Sequence, residues 1–314
     1  MLKESEEYRN LKDVKKKLIP LLTAVYIVFS LSGISQDEDL SAILKPGASP
    51  VKLSGEFVFT EGPAADRAGN VYFTDQPNDR IMVWSTKGKL STFMQPSGRS
   101  NGMFFDKKGN LWSCADEMNE LWCIGPDKSV AVILDGYEGK LFNGPNDLWV
   151  APDGGIYFTD PYYKRSWWSH GEMPQDKQSV YFLSSDSKTL KRVEEDLMQP
   201  NGIVGTPDGK ILYVSDIRGN KTWAYTIVPE GNLVEKRLFC ELGSDGMTID
   251  TEGNLYLTGK GVTVFDKTGK KIGNIEVPEN WTANVCFGGK NRKSLFITAS
   301  KSLYSIKTRM KGAY

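Results

Sequence analysis

A hairpin pattern that recurs along the chain limits the possible folds more than any other feature of the sequence. The clearest copy is NDLWVAPDGGIYFTD at residues 146–160, in which a polar side chain precedes an apolar run, a turn and a second, aromatic-rich run. The turn contains the Asp and Gly residues that tight reversals need. Related copies begin at residues 61, 101, 201 and 245. The sequence therefore predicts a repeated β-hairpin.

The spacing of the copies predicts the architecture. Each copy places a polar residue eight positions before a turn glycine, and these glycines are Gly69, Gly109, Gly154, Gly209 and Gly253. Intervals of about 40 to 55 residues are typical of propeller blades. A sixth, degenerate unit begins at Asn284, and further short apolar runs complete each unit. We predict an all-β, six-bladed β-propeller with four-stranded antiparallel blades.

The two ends of the propeller are expected to meet in one blade. The last unit supplies only three strand-like runs, whereas residues 51–60 precede the first hairpin and belong to no other unit. An N-terminal strand that completes the last blade would fasten the ring and protect its sheet edges. We therefore assign residues 51–314 to the propeller and residues 36–50 to a linker.

The first 35 residues have the layout of an export signal. Three lysines at 15–17 precede an apolar run at 18–31, and small residues follow before an acidic stretch. This order is typical of a secretory signal peptide, and an uncleaved N-terminal anchor is the alternative. We expect a periplasmic or secreted protein with no membrane contact beyond this segment.

Charge and cysteine content constrain the function further. The chain has 39 basic and 39 acidic residues, so its net charge is zero and nucleic acid is not an expected partner. Of the four cysteines, Cys114 and Cys123 flank one predicted turn. Either a disulfide, which an oxidising compartment permits, or buried free thiols would fit. The sequence leaves the oligomeric state open.

The polar residue at the front of each unit predicts a metal site. If all innermost strands begin on one face, these residues form a ring around the channel mouth: Glu61, Asn101, Asn146, Asn201, Asp245 and Asn284. The ring offers only carboxylate and amide oxygens. Such hard ligands suit calcium first, then magnesium or manganese, and they disfavour zinc except as a substitute.

A purely structural explanation of the ring also exists. Asn-Gly and Asp-Gly pairs form turns, so they could recur because each blade needs a bend at that point. This explains Asn201 and Asp245, but it explains Glu61 and the Asn146-Asp147 pair less well. Two carboxylates on one axis without a Lys or Arg in the ring would repel each other unless a cation lies between them.

The motifs that surround these positions resemble a known family. Seven of them occur in order: TEGP at 60–63, YEGK at 137–140, FNGPND at 142–147, IYFTDP at 156–161, PNG at 200–202, DGM at 245–247 and ITASKSLYSI at 297–306. Together they resemble the gluconolactonase/senescence-marker-protein-30/luciferin-regenerating-enzyme group of six-bladed propellers, and the bacterial gluconolactonases above all. The resemblance covers residues 55–314. Some relatives have an arginine two positions before Asn146, where this chain has Gly144.

The resemblance implies a calcium-dependent hydrolase that opens a sugar lactone. It implies Glu61, Asn201 and Asp245 as metal ligands, with Asn146 as a fourth ligand or a substrate contact. A bound ion would polarise the carbonyl, and we expect Asp245 to be the general base, with direct attack by the carboxylate as the alternative. A calcium-dependent arylesterase or phosphotriesterase and a non-catalytic ligand-binding propeller with a structural metal are the other hypotheses.

The longest interruption of the repeat is a candidate wall of the substrate site. Residues 161–177 connect two strands on the face where the ring lies, so we expect this loop to overhang the channel mouth. Its aromatic residues could contact a small lactone or ester, or they could only anchor the loop. The predicted substrate contacts are Asn101, Asn143, Asn146, Tyr162, Tyr163 and Trp167.

Overall fold

The computed structural model describes residues 39–314, which form six four-stranded antiparallel sheets. The innermost strands of successive sheets contact each other around a common axis, so the sheets are the blades of a six-bladed β-propeller. This confirms the predicted fold class. The signal peptide or anchor predicted at residues 1–35 lies outside the described residues.

The strands of blades 1 to 5 follow in chain order from the axis outward, and blade 6 adds the N-terminal β1 as its outermost strand. Blade 1 consists of β2 (Thr60–Ala65), β3 (Val71–Asp75), β4 (Arg80–Trp84) and β5 (Leu90–Met94). Blade 2 consists of β6 (Ser100–Phe105), β7 (Leu111–Ala115), β8 (Glu120–Ile124) and β9 (Val130–Leu134). Blade 3 consists of β10 (Leu148–Val150), β11 (Ile156–Asp160), β12 (Ser179–Leu183) and β13 (Leu190–Glu194). Blade 4 consists of β14 (Pro200–Gly205), β15 (Ile211–Asp216), β16 (Lys221–Ile227) and β17 (Leu233–Cys240). Blade 5 consists of β18 (Met247–Ile249), β19 (Leu255–Gly259), β20 (Gly261–Phe265) and β21 (Lys271–Ile275). Blade 6 consists of β22 (Thr282–Gly288), β23 (Ser294–Ala299), β24 (Ser302–Lys307) and β1 (Val51–Ser54). Single 3₁₀ turns occupy Leu40–Ala42, Gln76–Asn78 and Pro229–Gly231.

Apolar side chains between neighbouring blades form the core. The two inner strands of each blade are buried almost throughout, whereas the outer strands β5, β9 and β17 are largely exposed or half-buried. Trp149 and Tyr157 are fully buried and stack with ring centroids 5.9 Å apart. Burial of these faces supplies the main driving force for folding.

The N-terminal strand closes the ring as predicted, although it is shorter than expected. β1 pairs with β24 as the outermost strand of blade 6 but ends at Ser54, and Thr60 already belongs to β2. Residues between them turn back toward the axis because the carboxylate of Asp75 accepts hydrogen bonds from the backbone N–H groups of Val58 and Phe59. These backbone groups are therefore not available for sheet pairing.

The same capping contact recurs in two other blades. Asp160 accepts from the N–H groups of Asn143 and Gly144, and Asp216 accepts from those of Met198 and Gln199. In each case the Asp at the end of the second strand holds the segment that leads into the first strand of its own blade. In blade 2, Ala115 ends the second strand instead.

Residues 39–50 of the predicted linker contact the propeller. Ile43 is 1% exposed, its carbonyl accepts from the N–H of Arg309, and Leu44 bridges to Thr308. Within residues 39–314 the chain has no helix with the length and hydropathy that a membrane span requires.

All four cysteines are free thiols. Cys114 lies opposite Leu121, and Cys123 lies opposite Trp112. The strand register therefore does not place the two thiols opposite each other.

Candidate metal centre at the channel mouth

The ring positions coincide with irregularities in the innermost strands. The β2/β3 register shifts between Glu61 and Ala64, and the β14/β15 register shifts between Pro200 and Ile203. Similar shifts occur at the start of β6 and β22. Bulges of this kind redirect side chains away from the sheet face. In this propeller the bulges lie at the positions of the polar ring residues.

Side chains from five different blades meet at this mouth. Nδ2 of Asn201 donates to Oδ1 of Asp245 at 2.9 Å. The Asn284 side chain hydrogen-bonds Glu61, and its Nδ2 lies 3.4 Å from Oδ2 of Asp147. The structure thus brings together three predicted metal ligands, Glu61, Asn201 and Asp245, with Asn284 and Asp147 beside them.

The glycines that follow the ring residues serve close packing of the inner strands. A Cβ atom at Gly202 would lie 2.7 Å from the carbonyl oxygen of Asp245, and one at Gly246 would clash with the side chain of Asn284. These glycines lie at the entrances of inner strands, whereas the hairpin turns contain other glycines such as Gly69 and Gly253. Turn formation therefore does not explain the Asn-Gly and Asp-Gly pairs.

Burial dominates the electrostatics of the carboxylates. It raises the pKa of Glu61 well above its ordinary value, and the nearby Asp245 carboxylate raises it further. Burial also raises the pKa of Asp245, against hydrogen bonds from Trp281 and Asn201 that favour the charged form. The pKa of Asp147 rises to about 7 for the same reason, burial. Within residues 39–314, no Lys or Arg side chain forms an ion pair with any of these three groups.

The donor set fits a hard cation. Oδ1 of Asn201 is buried and accepts no hydrogen bond, while its Nδ2 is used by Asp245 and Tyr163. A buried acceptor without a donor costs on the order of 1–3 kcal/mol. A cation bound by this oxygen and the Glu61 and Asp245 carboxylates would satisfy the acceptor and neutralise the acids. The described residues contain no metal-binding group of three or more His, Cys, Asp or Glu side chains, so such a site would depend on amide oxygens.

The other two ring positions are also buried. Asn101 is 3% exposed and Asn146 is 6% exposed. Asn146 is held through its backbone, since its N–H donates to Thr159 and its carbonyl accepts from Gly102. A role for either side chain toward metal or substrate stays a prediction.

Asn143 lies beneath the loop that was predicted to overhang the mouth. Its Nδ2 donates to the carbonyls of Asp160 and Lys177, and its Oδ1 accepts from the N–H of Gln175. The side chain is fully buried, and the protein itself uses its polar atoms to hold the loop.

The aromatic side chains of the loop divide into two groups. Trp168 stacks on His170 with centroids 4.8 Å apart and packs against the tilted ring of Tyr162 at 6.0 Å, and these contacts anchor the loop. Tyr163 reaches the axis, where its hydroxyl accepts from Asn201 at 2.9 Å. Trp167 is half-buried, and the guanidinium groups of Arg99 and Arg165 lie over its ring. Their Cζ atoms are 4.7 Å and 5.5 Å from the ring centroid, respectively.

The space beside Gly144 is also filled from the loop. A Cβ atom at Gly144 would lie 2.7 Å from the Trp168 indole and 3.0 Å from Oδ1 of Asp116. An arginine therefore does not fit at this position while the loop is packed as observed.

Sequence reasoning missed Trp281. Its indole Nε1 donates to Oδ2 of Asp245 at 2.6 Å, and the residue is 39% exposed at the mouth. Trp281 belongs to the segment between β21 and β22, outside the repeated hairpin. The only available signal was a large aromatic residue in a short connection immediately before β22.

A cavity of about 310 Å³ continues along the axis below the candidate centre. Asp147 and Asn284 line its upper end, and below them the walls are mainly apolar. Tyr314 contributes to its lining, and its hydroxyl donates to the carbonyl of Gly205 at 2.6 Å. The polar centre thus separates the mouth from an apolar channel.

The fold and the site together define a six-bladed propeller with oxygen donors at one mouth of its channel. Residues 59–301 match the family model described as SMP-30/Gluconolactonase/LRE-like region. The chain therefore belongs to this family.

Individual relatives agree with this assignment. A gluconolactonase of Zymomonas mobilis is 29% identical over 303 residues, which cover 87% of this chain and 85% of that protein. The solved gluconolactonase XC5397 of Xanthomonas campestris is 30% identical, with a TM-score of 0.79 over 86% of this chain and 92% of that one. The calcium-binding protein regucalcin of Agrobacterium tumefaciens shares the fold at 18% identity, with a TM-score of 0.70 over 83% of this chain and 94% of that one.

Proposed function

We propose that this protein is a calcium-dependent lactone hydrolase that opens a sugar lactone. One observation carries the proposal: Glu61, Asn201 and Asp245 meet at the channel mouth, where the buried Oδ1 of Asn201 accepts no hydrogen bond. The similarity to gluconolactonases of Zymomonas mobilis and Xanthomonas campestris supports the reaction class.

We assign Glu61, Asn201 and Asp245 as the metal ligands, with Asn146 as a further candidate. Calcium is the preferred ion because it accepts carboxylate and amide oxygens in irregular arrangements, and magnesium, manganese or zinc could substitute. When bound, the ion would supply positive charge that polarises an ester carbonyl.

Asp245 is our candidate general base. Asn201 donates to one of its carboxylate oxygens and Trp281 to the other, so its orientation is defined. Each carboxylate oxygen can accept more than one hydrogen bond, which leaves room for a water molecule as well. Asp245 would take a proton from this water as the water attacks the carbonyl carbon. The bond from that carbon to the ring oxygen then breaks, and the ring oxygen takes up a proton.

Tyr163 and Trp281 would form the walls against which the substrate lies. Tyr163 contacts Asn201, and Trp281 contacts Asp245, so both aromatic side chains adjoin the proposed reacting groups. Contacts from Tyr162 and Trp167 are proposed only at the outer rim, because these side chains pack within the loop.

Hydrolysis assays on metal-free protein test the proposal. We would measure rates with D-glucono-1,5-lactone, an aromatic lactone and an aryl phosphotriester, each with added calcium and with a chelator. We expect calcium-dependent opening of the sugar lactone and its loss in Asp245→Asn. A preference for the other two substrates would favour an arylesterase or phosphotriesterase. Calcium binding without turnover of any substrate would favour a ligand-binding propeller.

The proposed location is the periplasm or the extracellular medium. It depends on residues 1–35, whose pattern of basic, apolar and small residues is typical of export signals. Fractionation of cells that express the full chain, followed by N-terminal sequencing, would show whether the segment directs export and whether it is removed.

A further inference from the structure

Blade 2 differs from its neighbours at the end of its second strand. In blades 1, 3 and 4 an Asp at this point caps the segment that enters the blade, whereas blade 2 has Ala115 followed by Asp116. Asp116 is 1% exposed, accepts from Nε2 of Gln76, and lies with Oδ2 2.9 Å from Nε of Arg165. The carboxylate is therefore directed to the loop between β11 and β12.

The ion pair places Nε of Arg165 beside Asp116, and both Nη atoms lie outside this contact. The group lies over the rings of Tyr163 and Trp167, at 5.4 Å and 5.5 Å from their centroids. Nε1 of Trp168 donates to the Asp116 backbone carbonyl and also fastens the loop to this residue. Neither Nη atom of Arg165 donates a hydrogen bond to any group in residues 39–314. The side chain is 21% exposed while its Nε atom is buried, so the accessible surface belongs to its other atoms.

The Arg165 guanidinium lies close to the candidate metal centre. Tyr163, which Arg165 covers, accepts a hydrogen bond from Asn201 at 2.9 Å. Only one tyrosine ring therefore separates the guanidinium from a proposed ligand. A single sugar-sized molecule could place its ester at the centre and a second functional group at Arg165.

We propose that Arg165 determines substrate specificity and selects lactones that carry an anionic group remote from the ester. A guanidinium offers two parallel N–H donors that match the two oxygens of a carboxylate. Because Asp116 and the aromatic rings already hold the group, little side-chain freedom is lost when it binds. The inference rests on the proposed lactone hydrolysis and adds the class of substrate.

A matched pair of lactones tests the inference. D-Glucaro-1,4-lactone and D-glucono-1,4-lactone have the same ring, but the first carries a carboxylate where the second carries a hydroxymethyl group. We expect a higher kcat/KM for the anionic lactone. In Arg165→Gln this value should fall by about 10- to 100-fold, while kcat/KM for the neutral lactone changes by less than about 3-fold. Arg165→Lys keeps the charge but loses the paired donors, so an intermediate loss is expected.

Arg218→Gln is the matched control. Arg218 is exposed in the corresponding connection of the next blade, between β15 and β16, so the substitution removes the same charge from the same face. It should leave the ratio of the two kcat/KM values unchanged. Thermal unfolding of each variant, and of the double variant Asp116→Asn/Arg165→Gln that leaves no unpaired buried carboxylate, controls for folding.

Two results would overturn the inference while leaving the proposed function intact. One is equal preference of the unaltered protein for both lactones, and the other is an equal loss on both lactones in Arg165→Gln. If neither lactone is hydrolysed, the proposed function fails, and tryptophan fluorescence titrations with D-glucarate and D-gluconate decide the inference. Tighter binding of the doubly charged glucarate that disappears in Arg165→Gln would support the anion site, and equal binding in both proteins would exclude it.

Discussion

The indole Nε1 of Trp281 donates a hydrogen bond to Oδ2 of Asp245 at 2.6 Å. Asn201 donates to the other oxygen of the same carboxylate at 2.9 Å. The candidate base thus has one donor on each oxygen, from two different blades. Hydrogen bonds of this kind favour the ionised form and restrict rotation of the carboxylate.

Removal of the Trp281 donor should reduce activity. Trp281→Phe keeps an aromatic wall but loses the N–H, and hydrogen bonds to charged groups contribute about 1.5–3 kcal/mol. We expect kcat/KM for a lactone to fall by about 10- to 100-fold, measured by proton release at constant pH. Trp223→Phe is the control, because the Trp223 indole N–H has no partner within residues 39–314. Equal activity of both variants would show that the contact to Asp245 does not affect turnover.

Neutralisation of Glu61 should lower the calcium affinity but raise the stability of the metal-free protein. In Glu61→Gln we expect calcium affinity to fall by about 100-fold, since a charged ligand is lost. The metal-free variant should nevertheless unfold at a higher temperature than the unaltered metal-free protein, because the repulsion between Glu61 and Asp245 is removed. Isothermal titration calorimetry and thermal unfolding in chelator measure the two effects. Glu252→Gln, on an exposed turn of blade 5, should change neither. Unaltered calcium affinity in Glu61→Gln would remove Glu61 from the ligand set.

The stability of the metal-free protein should fall as the pH rises from about 4 to about 7. Burial raises the folded-state pKa values of Glu61, Asp147 and Asp245 above their unfolded values near 4. The folded state then binds more protons than the unfolded state in this window. The stabilisation is complete below the unfolded pKa values and is lost toward the folded ones, by on the order of a few kcal/mol.

Calcium should weaken this trend, because a bound cation favours the ionised forms of Glu61 and Asp245, whereas the raised pKa values of Asp116 and Asp160 do not depend on it. Urea unfolding at several pH values, with chelator and with calcium, measures both curves. A metal-free curve that rises between pH 4 and pH 7 would contradict the assignment of buried, mutually repelling acids.

Loss of the Asn143 side chain should loosen the loop at residues 161–178. Asn143→Ala removes three side-chain hydrogen bonds, two of which join this loop to the body of blade 3, at a cost of about 2–4 kcal/mol in the free energy of unfolding. Trypsin should then cut faster after Lys164, Arg165 or Lys177, which mass spectrometry of the fragments would identify. Asn232→Ala, on an exposed turn, should change the free energy of unfolding by less than about 0.5 kcal/mol. Unchanged proteolysis in Asn143→Ala would mean that the aromatic stack alone holds the loop.

Much of this protein could be predicted from the sequence because its main elements are periodic. The hairpin turns recur with Asp, Asn and Gly at fixed offsets, so the sequence predicts both the six blades and the polar ring at the start of their innermost strands. The closing strand β1 was also predictable, since the last unit lacked a fourth run. The end of β1 at Ser54 was not predictable, because it depends on hydrogen bonds from the backbone N–H groups of Val58 and Phe59 to the Asp75 carboxylate.

The contacts that surround the ring were decided by the tertiary structure alone. Trp281 reaches Asp245, and Arg165 reaches Asp116, from connections that follow no repeat. Asn143 and Trp167 were predicted as substrate contacts, which stays a prediction; the structure adds that Asn143 anchors the loop and that two guanidinium groups lie over Trp167. Periodic patterns specify which residues face the axis of a propeller. They carry no information on where irregular loops place their side chains, because those positions depend on packing between residues far apart in the chain.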